Sequence, residues 1–383
     1  MPLPLLFLIA DTGGGHRAAA TAVARRLATD YPGRFEVSIV DPAGTVSPGV
    51  LGRTAGLYGP LIQHGRWVWG ALYHSTNSRA AIAALRHTAL RPLRPVLEAL
   101  VDRLQPVAVV SFHPLLNHVA ATVVAARAPG VPVITVITDL VDIHAGWACR
   151  DVDAVVIPSP GGLDRCRRAG IPASHCHMLG LPVDSAFSRP PLRAAERREL
   201  QRSLGLDGRR FTVLVCSGAD GSGSIARRAR ALAAADLDID LAVICGRNQQ
   251  AVADLRGLRD RHGRPVLVHG FVDNMAAWMR AADVAVTKAG PGSISEALCS
   301  GLPLLLTWYL PGQERGNVEW VVDIGAGRYV PGNAELVDAV AELSSPRSPA
   351  LAEMRAAVRK AARPDATARI AALINAMATP AAP

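Results

Sequence analysis

The chain has 383 residues, more than one hydrophobic core usually supports, so two domains of roughly 150 to 200 residues are expected. Half of the residues are hydrophobic and 19% are charged, a composition typical of a soluble α/β enzyme and not of a disordered or fibrous chain. The formal net charge of +9 favours anionic partners, but the chain has no zinc spacing and no RNA-binding signature, so nucleic acid is not an expected partner. Nearly all of the positive charge is arginine, because the two lysines are Lys288 and Lys360.

The N-terminus combines an apolar run with a glycine-rich turn. Met1–Ala10 lacks a basic n-region, so it predicts a first β-strand and not a signal peptide. It leads into Asp11-Thr-Gly-Gly-Gly-His-Arg17, which opens an alanine-rich helix. Since imidazole titrates near neutral pH, His16 is a candidate general base that deprotonates an attacking hydroxyl. The alternative is a histidine that only caps or packs at the helix start.

The alternation of strands and helices is lost between Val46 and Arg103, where aromatic residues mix with arginines and the acidic residues are Glu98 and Asp102. Two interpretations stay open: a surface seated at a lipid headgroup layer, or helices packed on the first domain with solvated arginines. The uncharged stretch Leu104–Ala126 is long enough to span a bilayer. Polar residues interrupt it, so it predicts a buried strand, a turn and a helix.

Elsewhere, short apolar runs alternate with helical stretches, which predicts parallel βαβ units in two tandem Rossmann-like sheets. The strands expected in the first half are Leu5–Ala10, Phe35–Val40, Val107–Phe112, Val133–Thr138 and Ala154–Ile157. The strands expected in the second half are Phe211–Cys216, Ile239–Cys245, Val266–Val268, Val284–Val286 and Leu304–Leu306. Ligands are expected in a cleft between the two domains, at the carboxyl ends of these strands.

In the first half, polar side chains follow the later strands. His113 and His118 come after the third expected strand, and Asp139 and His144 come after the fourth. Since carboxyl ends of parallel strands share one edge of the sheet, some of these side chains are expected to face the same cleft as His16.

In the second half, the segment Lys288-Ala-Gly-Pro-Gly-Ser-Ile-Ser-Glu296 follows a strand and opens a helix. Its glycines allow a ligand to approach the backbone closely, and the free N–H groups suit a phosphate. Glu296 is placed to accept hydrogen bonds from ribose hydroxyls. On spacing alone, a plain strand-to-helix turn explains the segment equally well.

Two further segments carry polar or glycine-rich loops. Gly312-Gln-Glu-Arg-Gly-Asn317 suits sugar hydroxyls, with a solvated loop as the alternative. The turn 217–223 follows a strand and has room for a diphosphate. The Asp-x-Asp pairs within 151–153 and 236–240 precede strands, which is the wrong end for ligands, so they predict solvated strand entries and no metal site.

Taken together, these stretches resemble the monogalactosyldiacylglycerol synthase family and its bacterial glycosyldiacylglycerol synthase relatives. The resemblance rests on Asp11–Arg17, Asp283–Ala297 and Gly312–Asn317, with smaller matches elsewhere, and covers most of the chain apart from Val46–Arg103. The sequence departs from the family pattern at Ser217 and Ala219, where the family has glycine, and in His144-Ala-Gly-Trp147, where the family has His-Pro-Thr-Trp.

The resemblance implies a GT-B fold, an α/β architecture of two Rossmann-like domains with an interdomain cleft and a C-terminal helix that returns to the first domain. The implied divisions are an acceptor-facing domain at 1–183, a linker at 184–191, a UDP-sugar domain at 192–364 and the returning helix at 365–383. The implied reaction is inverting and independent of metal, with no cofactor, because the UDP-sugar is a co-substrate.

The resemblance also implies residue roles. His16 is the base. The implied acceptor-binding residues are Gly13, Gly14, Gly15, Arg17, His113, Asp139, His144 and Trp147. The implied donor-binding residues are Ser217, Gly218, Arg247, Asn248, Phe271, Val272, Lys288, Gly290, Gly292, Ser293, Glu296, Gln313, Glu314 and Asn317. Among these, Phe271 and Val272 would flank the uracil, Gly292 and Ser293 the phosphates, Glu296 the ribose, and Gln313 and Glu314 the sugar.

The function that the resemblance implies is transfer of galactose or glucose from a UDP-sugar to 1,2-diacylglycerol, giving a β-glycosyldiacylglycerol. Such an enzyme is expected to be cytoplasmic and peripherally associated with an anionic membrane surface. Three alternatives stay open: a UDP-sugar transferase for a soluble or polyprenyl acceptor, an enzyme like UDP-N-acetylglucosamine 2-epimerase, and a non-catalytic nucleotide-binding protein.

Overall fold

The computed structural model describes residues 1–11, 14–45, 70, 73–218 and 224–378. The described residues form two compact units. The first comprises Met1–Ser185, Pro311–Gln313 and Asp365–Pro383, and the second comprises Ala186–Leu310 and Glu314–Pro364. Three parts of the chain that carry predictions lie outside the described residues: Gly13, most of the aromatic and arginine-rich segment before residue 73, and residues 219–223 of the glycine-rich turn. The interpretations placed on them also lie outside the described residues.

The first unit is built on a six-stranded parallel sheet in the order β2-β1-β3-β4-β5-β6. Its strands are β1 (Leu3–Leu8), β2 (Phe35–Val40), β3 (Ala108–Ser111), β4 (Val133–Val136), β5 (Ala154–Ile157) and β6 (Cys176–Met178). Its helices are α1 (Gly15–Asp30), α2 (Pro42–Thr45), α3 (Arg79–His87), α4 (Leu93–Leu104), α5 (Leu116–Arg127), α6 (Pro160–Arg168) and α15 (Ala366–Met377).

The sheet of the first unit is covered on both faces, which explains why β1 is apolar along its whole length. Phe7 belongs to one core cluster together with residues of α1, whereas its neighbour Leu8 belongs to the cluster formed with α4 and α5. The last helix contributes Ile370 and Ile374 to the α1 side, both fully buried. The chain therefore completes the first unit with residues that follow the second unit in the sequence.

The second unit is built on another six-stranded parallel sheet, in the order β12-β11-β10-β7-β8-β9. Its strands are β7 (Phe211–Cys216), β8 (Ile239–Ile244), β9 (Leu267–His269), β10 (Val284–Lys288), β11 (Leu304–Trp308) and β12 (Gly327–Tyr329). Its helices are α7 (Ala194–Ser203), α8 (Ile225–Ala234), α9 (Gln249–Asp254), α10 (Met275–Ala281), α11 (Pro291–Cys299), α12 (Arg315–Asp323), α13 (Asn333–Ser344) and α14 (Pro349–Ala361).

Two strands were not expected from the sequence. Cys176–Met178 and Gly327–Tyr329 each lie at an edge of their sheet and have three residues with no continuous apolar run. In β12 the first residue must be small, because a Cβ atom at Gly327 would lie 2.4 Å from the carbonyl oxygen of Leu304. Both segments therefore lack the apolar run by which the other strands were identified.

The uncharged stretch Leu104–Ala126 folds as predicted into the end of α4, the buried strand β3 and most of α5. Among the helices of the described residues, none combines the length and the apolar character that a membrane crossing requires.

Candidate functional site

In the first unit, His16 lies in the first turn of α1, directly after the carboxyl end of β1. Its Nδ1 atom is 2.8 Å from the hydroxyl oxygen of Thr138, which follows β4. The ring of His113, which follows β3, stands nearly perpendicular to the His16 ring at 4.9 Å, and the Trp147 ring lies 6.3 Å away. The carboxyl ends of three parallel strands therefore bring together two of the predicted residues, His16 and His113.

Burial controls the protonation of this pair of imidazoles. It lowers the pKa of His16 to about 4, although a hydrogen bond to the backbone of Phe112 and the charge of Asp11 act in the opposite direction. Burial also holds the pKa of His113 well below its ordinary value, and the nearby His16 and His144 add to that effect. Both rings are therefore neutral at pH 7, the form in which an imidazole accepts a proton.

The lowered pKa of His16 predicts that the protein loses stability on mild acidification. Between pH 6.5 and about 4 the unfolded chain binds a proton at His16 and the folded chain does not, so the free energy of unfolding falls as the pH falls. From the size of the shift, His16 contributes about 3 kcal/mol to this loss. Urea denaturation at a series of pH values, on the wild type and on His16→Gln, measures the effect. An equally steep decline in both proteins would contradict it.

Asp139 occupies a buried position beside this pair. One carboxylate oxygen accepts a 2.7 Å hydrogen bond from the indole of Trp147, and the other accepts a 3.0 Å bond from the side-chain amide of Gln313. Trp147 is fully buried. The structure thus joins three residues that the sequence assigned to different substrates, and it shows both oxygens of Asp139 in contact with protein donors.

His144 precedes the 3₁₀ turn Ala145–Trp147 and caps its start. Its Nδ1 accepts a 3.1 Å hydrogen bond from the backbone N–H of Gly146, and its Nε2 lies 3.2 Å from the hydroxyl of Thr76. The Tyr73 ring packs against it at 4.9 Å, and the Tyr73 hydroxyl donates to the carbonyl of Asp142. Burial lowers the pKa of His144, so this imidazole is also neutral at pH 7.

The segment between Val46 and Arg103 is described only in its later part. There α3 and α4 pack on the first unit, with Leu93 and Leu97 in its core. Arg86 donates to the hydroxyl of Thr122 at 2.9 Å, and Arg94 pairs with Glu98. Helices packed on the first unit therefore account for the described part, and the lipid-facing interpretation stays a prediction.

Three more predicted residues lie around the start of α1. Gly14 immediately precedes α1 and Gly15 is its first residue, and a Cβ atom at Gly15 would meet nothing within 4 Å. Arg17 donates two hydrogen bonds, of 2.8 and 2.7 Å, to the carboxylate of Asp11. The Arg17 guanidinium lowers the pKa of Asp11, and both side chains are exposed.

In the second unit, the predicted donor residues follow five neighbouring strands at their carboxyl ends. Glu314 comes after β11, Lys288 ends β10, and Ser217 comes after β7. Arg247 comes after β8 and Phe271 after β9. Because adjacent strands are about 4.8 Å apart, these residues are distributed along roughly 19 Å of one sheet edge. That order places the aromatic residue at one end and the carboxylate at the other.

Phe271 is exposed over 59% of its surface, and the guanidinium of Arg247 lies over its ring at 5.3 Å. Val272 follows in the same loop. The neighbouring Asn248 begins α9, where its side-chain oxygen accepts a 2.9 Å hydrogen bond from the backbone N–H of Ala251. A large exposed aromatic ring at a strand end is a surface on which a planar base can stack.

The helix α11 starts at Pro291, with Gly290 before it in an extended conformation. Gly292 and Ser293 belong to its first turn, and a Cβ atom at Gly292 would meet no atom of the described residues within 4 Å, so these residues leave the backbone there open to a ligand. The first N–H groups of a helix have no partners within the helix, and the helix dipole favours an anion at that end. Glu296 lies one turn further along, partly buried.

Lys288 and Glu314 form an ion pair beside this helix start. The ammonium of Lys288 donates a 2.7 Å hydrogen bond to one oxygen of Glu314, whose other oxygen accepts a 2.8 Å bond from the backbone N–H of Leu310. Asn317 is buried and donates a 2.9 Å bond to the carbonyl of Ala289. Glu314 and Asn317 therefore connect the loop after β11 to the start of α11.

A small pocket opens at the carboxyl ends of β7, β10 and β11, with Ser217, Lys288 and Trp308 among its lining residues. Gly218, which follows Ser217 in the chain, has a positive φ of 65°, a conformation that glycine adopts without strain. Arg228 of α8 also lines the pocket, and its guanidinium is bonded to Asn333 and to the carbonyl of Pro331.

Two residues near the sites were missed as site residues. Thr138 contacts His16, and its place as the last residue of an expected buried strand was the available signal. Arg228 lies inside a helix with many arginines, so nothing in the sequence distinguished it.

The Asp-x-Asp stretches enter strands, with Asp153 accepting from the backbone N–H of Val133 and Asp240 pairing with Arg210. Among the described residues, no group of three or more histidines, cysteines or acidic residues could hold a metal ion.

The sequence matches two family models. The model described as Monogalactosyldiacylglycerol (MGDG) synthase matches residues 16–183, and the model described as Glycosyltransferase family 28 C-terminal domain matches residues 212–370. The chain is 34% identical over 379 residues to monogalactosyldiacylglycerol synthase 1, chloroplastic, of Arabidopsis thaliana, covering 96% of this chain and 70% of the relative. It is also 34% identical over 379 residues to the monogalactosyldiacylglycerol synthase, chloroplastic, of Spinacia oleracea, with 96% and 71% covered.

The fold resembles solved glycosyltransferase structures. MurG of Acinetobacter baumannii matches with a TM-score of 0.64 at 18% identity, over 98% of this chain and all of that one. The UDP-GlcNAc 2-epimerase of Neisseria meningitidis, solved with UDP-GlcNAc bound, matches with a TM-score of 0.61 at 12% identity, over 98% of this chain and 100% of that one. These matches concern the fold alone, and with the two parallel sheets they confirm the predicted GT-B architecture.

Proposed function

The chain belongs to the monogalactosyldiacylglycerol synthase family of glycosyltransferases, and from this premise we propose that it transfers galactose or glucose from a UDP-sugar to 1,2-diacylglycerol. The product is a β-glycosyldiacylglycerol. The observation that carries the acceptor half of this proposal is the neutral His16 imidazole, held beside Thr138 at the carboxyl edge of the first sheet. A hydroxyl that attacks a sugar must lose its proton, and a neutral imidazole can take it.

The donor half of the proposal rests on residues that follow the strands of the second sheet in the chain. The exposed ring of Phe271 offers a stacking surface for uracil, and the first turn of α11 offers unpaired N–H groups for the diphosphate. Glu296 accepts from the ribose hydroxyls. Gln313, whose amide nitrogen already donates to Asp139, keeps its carbonyl oxygen for a sugar hydroxyl. That oxygen is buried and has no hydrogen-bond partner among the residues that the structure describes.

In the proposed reaction the acceptor oxygen forms a bond to the anomeric carbon as His16 takes the hydroxyl proton. The bond from the anomeric carbon to the phosphate oxygen breaks, its electron pair leaves with UDP, and the configuration at the anomeric carbon inverts. No metal ion or other cofactor takes part in the proposed reaction.

A diacylglycerol acceptor also requires the enzyme to work at a membrane surface. We therefore propose that it is a peripheral protein on the cytoplasmic side, where its net charge of +9 favours anionic lipids.

The experiment that tests this function supplies radiolabelled UDP-galactose and UDP-glucose in parallel, with and without diacylglycerol liposomes, and identifies the product. The expected result is a labelled glycolipid that forms only when diacylglycerol is present. Efficient transfer to a dissolved or polyprenyl acceptor without liposomes would contradict the proposed acceptor. Conversion of the UDP-sugar with no acceptor would instead indicate an epimerase. The fold of this chain is similar to that of a UDP-GlcNAc 2-epimerase.

A further inference from the structure

Lys288 places a positive charge at the carboxyl edge of the second sheet. It is the last residue of β10, and its ammonium is 6.0 Å from the centre of the Trp308 ring. A Cβ atom at Gly290 would lie 3.6 Å from that ammonium, and a Cβ atom at Gly218 would lie 3.9 Å from the adjacent Cε atom. The charge is thus located between the end of β7 and the start of α11.

Both positions lack a side chain close to this ammonium. A Cβ atom at position 290 would reach ordinary contact distance of the Lys288 side chain, and Gly218 also has the positive φ that disfavours other residues. The side chain of Lys288 is 21% exposed, so the ammonium is accessible from the pocket that it lines.

Glu314 holds the ammonium in this position. Its side chain is 4% exposed, and its two oxygens accept from Lys288 and from the backbone N–H of Leu310. An ammonium has three donor hydrogens, and one of them reaches Glu314. The same ammonium can therefore donate to a second anion while the buried carboxylate keeps its partner.

Lysine is a residue type that can contact two anions at once. Lys288 is one of two lysines in a chain with 41 basic residues, and a lysine carries a compact charge on a flexible stem. A planar arginine fork pairs with one carboxylate through two parallel bonds, whereas an ammonium can be shared between a carboxylate and a phosphate.

We propose that Lys288 bridges Glu314 and the diphosphate of the nucleotide sugar, and that it stabilises the negative charge that develops on UDP as it leaves. This inference rests on the proposed function, since it requires a UDP-sugar at the start of α11. Lys288 forms no covalent bond. When the bond between the anomeric carbon and the phosphate oxygen breaks, the electron pair stays on that oxygen, and the ammonium donates a hydrogen bond to the diphosphate. Glu314 acts as a positioning residue that aims the ammonium.

The test begins with Lys288→Gln, assayed for binding of UDP and of uridine by calorimetry and for transfer. The expected result is UDP affinity lowered by about 10- to 100-fold with uridine affinity unchanged, together with kcat lowered by about 100-fold or more. Since Lys288→Gln leaves the buried Glu314 without its cation, the double variant Lys288→Gln/Glu314→Gln removes both charges and protects the test against misfolding. We expect it to show the same loss of UDP affinity.

The scarcity of lysine provides a second measurement. The variant Lys360→Arg changes an exposed residue of α14 and leaves Lys288 as the one lysine side chain. Acetylation followed by mass spectrometry then reports on Lys288 alone, since the N-terminal amine lies in a different peptide. Saturating UDP is expected to slow acetylation of Lys288 by at least about 10-fold through its charge-assisted contact, and uridine is expected to have no effect.

The outcomes separate this inference from the function on which it rests. If UDP binds and transfer proceeds, but Lys288 is not protected and Lys288→Gln binds UDP as the wild type does, the role of Lys288 is wrong and the proposed function stands. If the wild type binds neither UDP nor a UDP-sugar, both are wrong. If Lys288→Gln loses uridine and UDP affinity equally, the lysine supports the fold of the site and does not contact the diphosphate.

Discussion

Replacing His16 with alanine is expected to lower the rate of sugar transfer by roughly 100- to 10,000-fold, the range that a positioned general base supplies. UDP binding is expected to remain unchanged, since the residues proposed to contact UDP belong to the second unit. Initial rates with diacylglycerol liposomes and calorimetry with UDP measure the two quantities on the same preparation.

Two matched variants make this result interpretable. His262→Ala removes an exposed histidine of the second unit that pairs with Asp236, and transfer is expected to be unaffected. Thr138→Val removes the hydroxyl that lies 2.8 Å from the His16 ring and keeps the shape of the side chain, so a smaller loss of about 10-fold is expected. If His16→Ala reduces UDP binding as much as it reduces transfer, His16 is not the base.

Replacing Gly327 with alanine is expected to cost the second unit about 3 kcal/mol of stability, at the upper end of the usual cost of overpacking. The added Cβ atom would lie 2.4 Å from the Leu304 carbonyl oxygen and 2.8 Å from a methyl group of Val321. The first contact is with backbone that pairs β11 with β12, so the strand cannot move away without losing its hydrogen bonds. Equilibrium unfolding in urea, followed by circular dichroism, measures the change.

The control for this substitution is Gly270→Ala in the same unit. A Cβ atom there would meet its nearest neighbours at 3.7 and 3.8 Å, which are ordinary contact distances. Its unfolding midpoint is expected to lie close to that of the wild type. Equal midpoints for Gly327→Ala and the wild type would show that β12 tolerates a side chain at this position.

The central strands were predictable because parallel sheets covered on both faces require nearly continuous apolar runs. Leu5–Ala10 and Phe211–Cys216 meet that requirement, and the structure contains β1 and β7 there. The strands β6 and β12 were not predictable because their segments lack such a run. His177 is the middle residue of β6 and Arg328 is the middle residue of β12.

The candidate sites were predictable to the extent that they depend on strand order. The sequence places His16 and His113 after strands that become neighbours in the sheet, and their rings are indeed adjacent. Hydrogen-bond partners that lie far apart in the chain were not predictable. The contacts of Asp139 with Trp147 and Gln313, and of His144 with Thr76, depend on packing that leaves no local pattern in the sequence. The substrate contacts of these residues stay predictions.

The place of α15 has a consequence for how the protein is made. The core of the first unit includes Ile370 and Ile374, which are synthesised after the entire second unit. When residues 1–185 have emerged from the ribosome, the hydrophobic face along α1 is therefore still uncovered. The second unit, whose main segments lie within 186–364, has its core residues before that face is covered. During translation the first unit to begin emerging is thus the last to be completed, and its exposed α1 face is where a chaperone would be expected to bind.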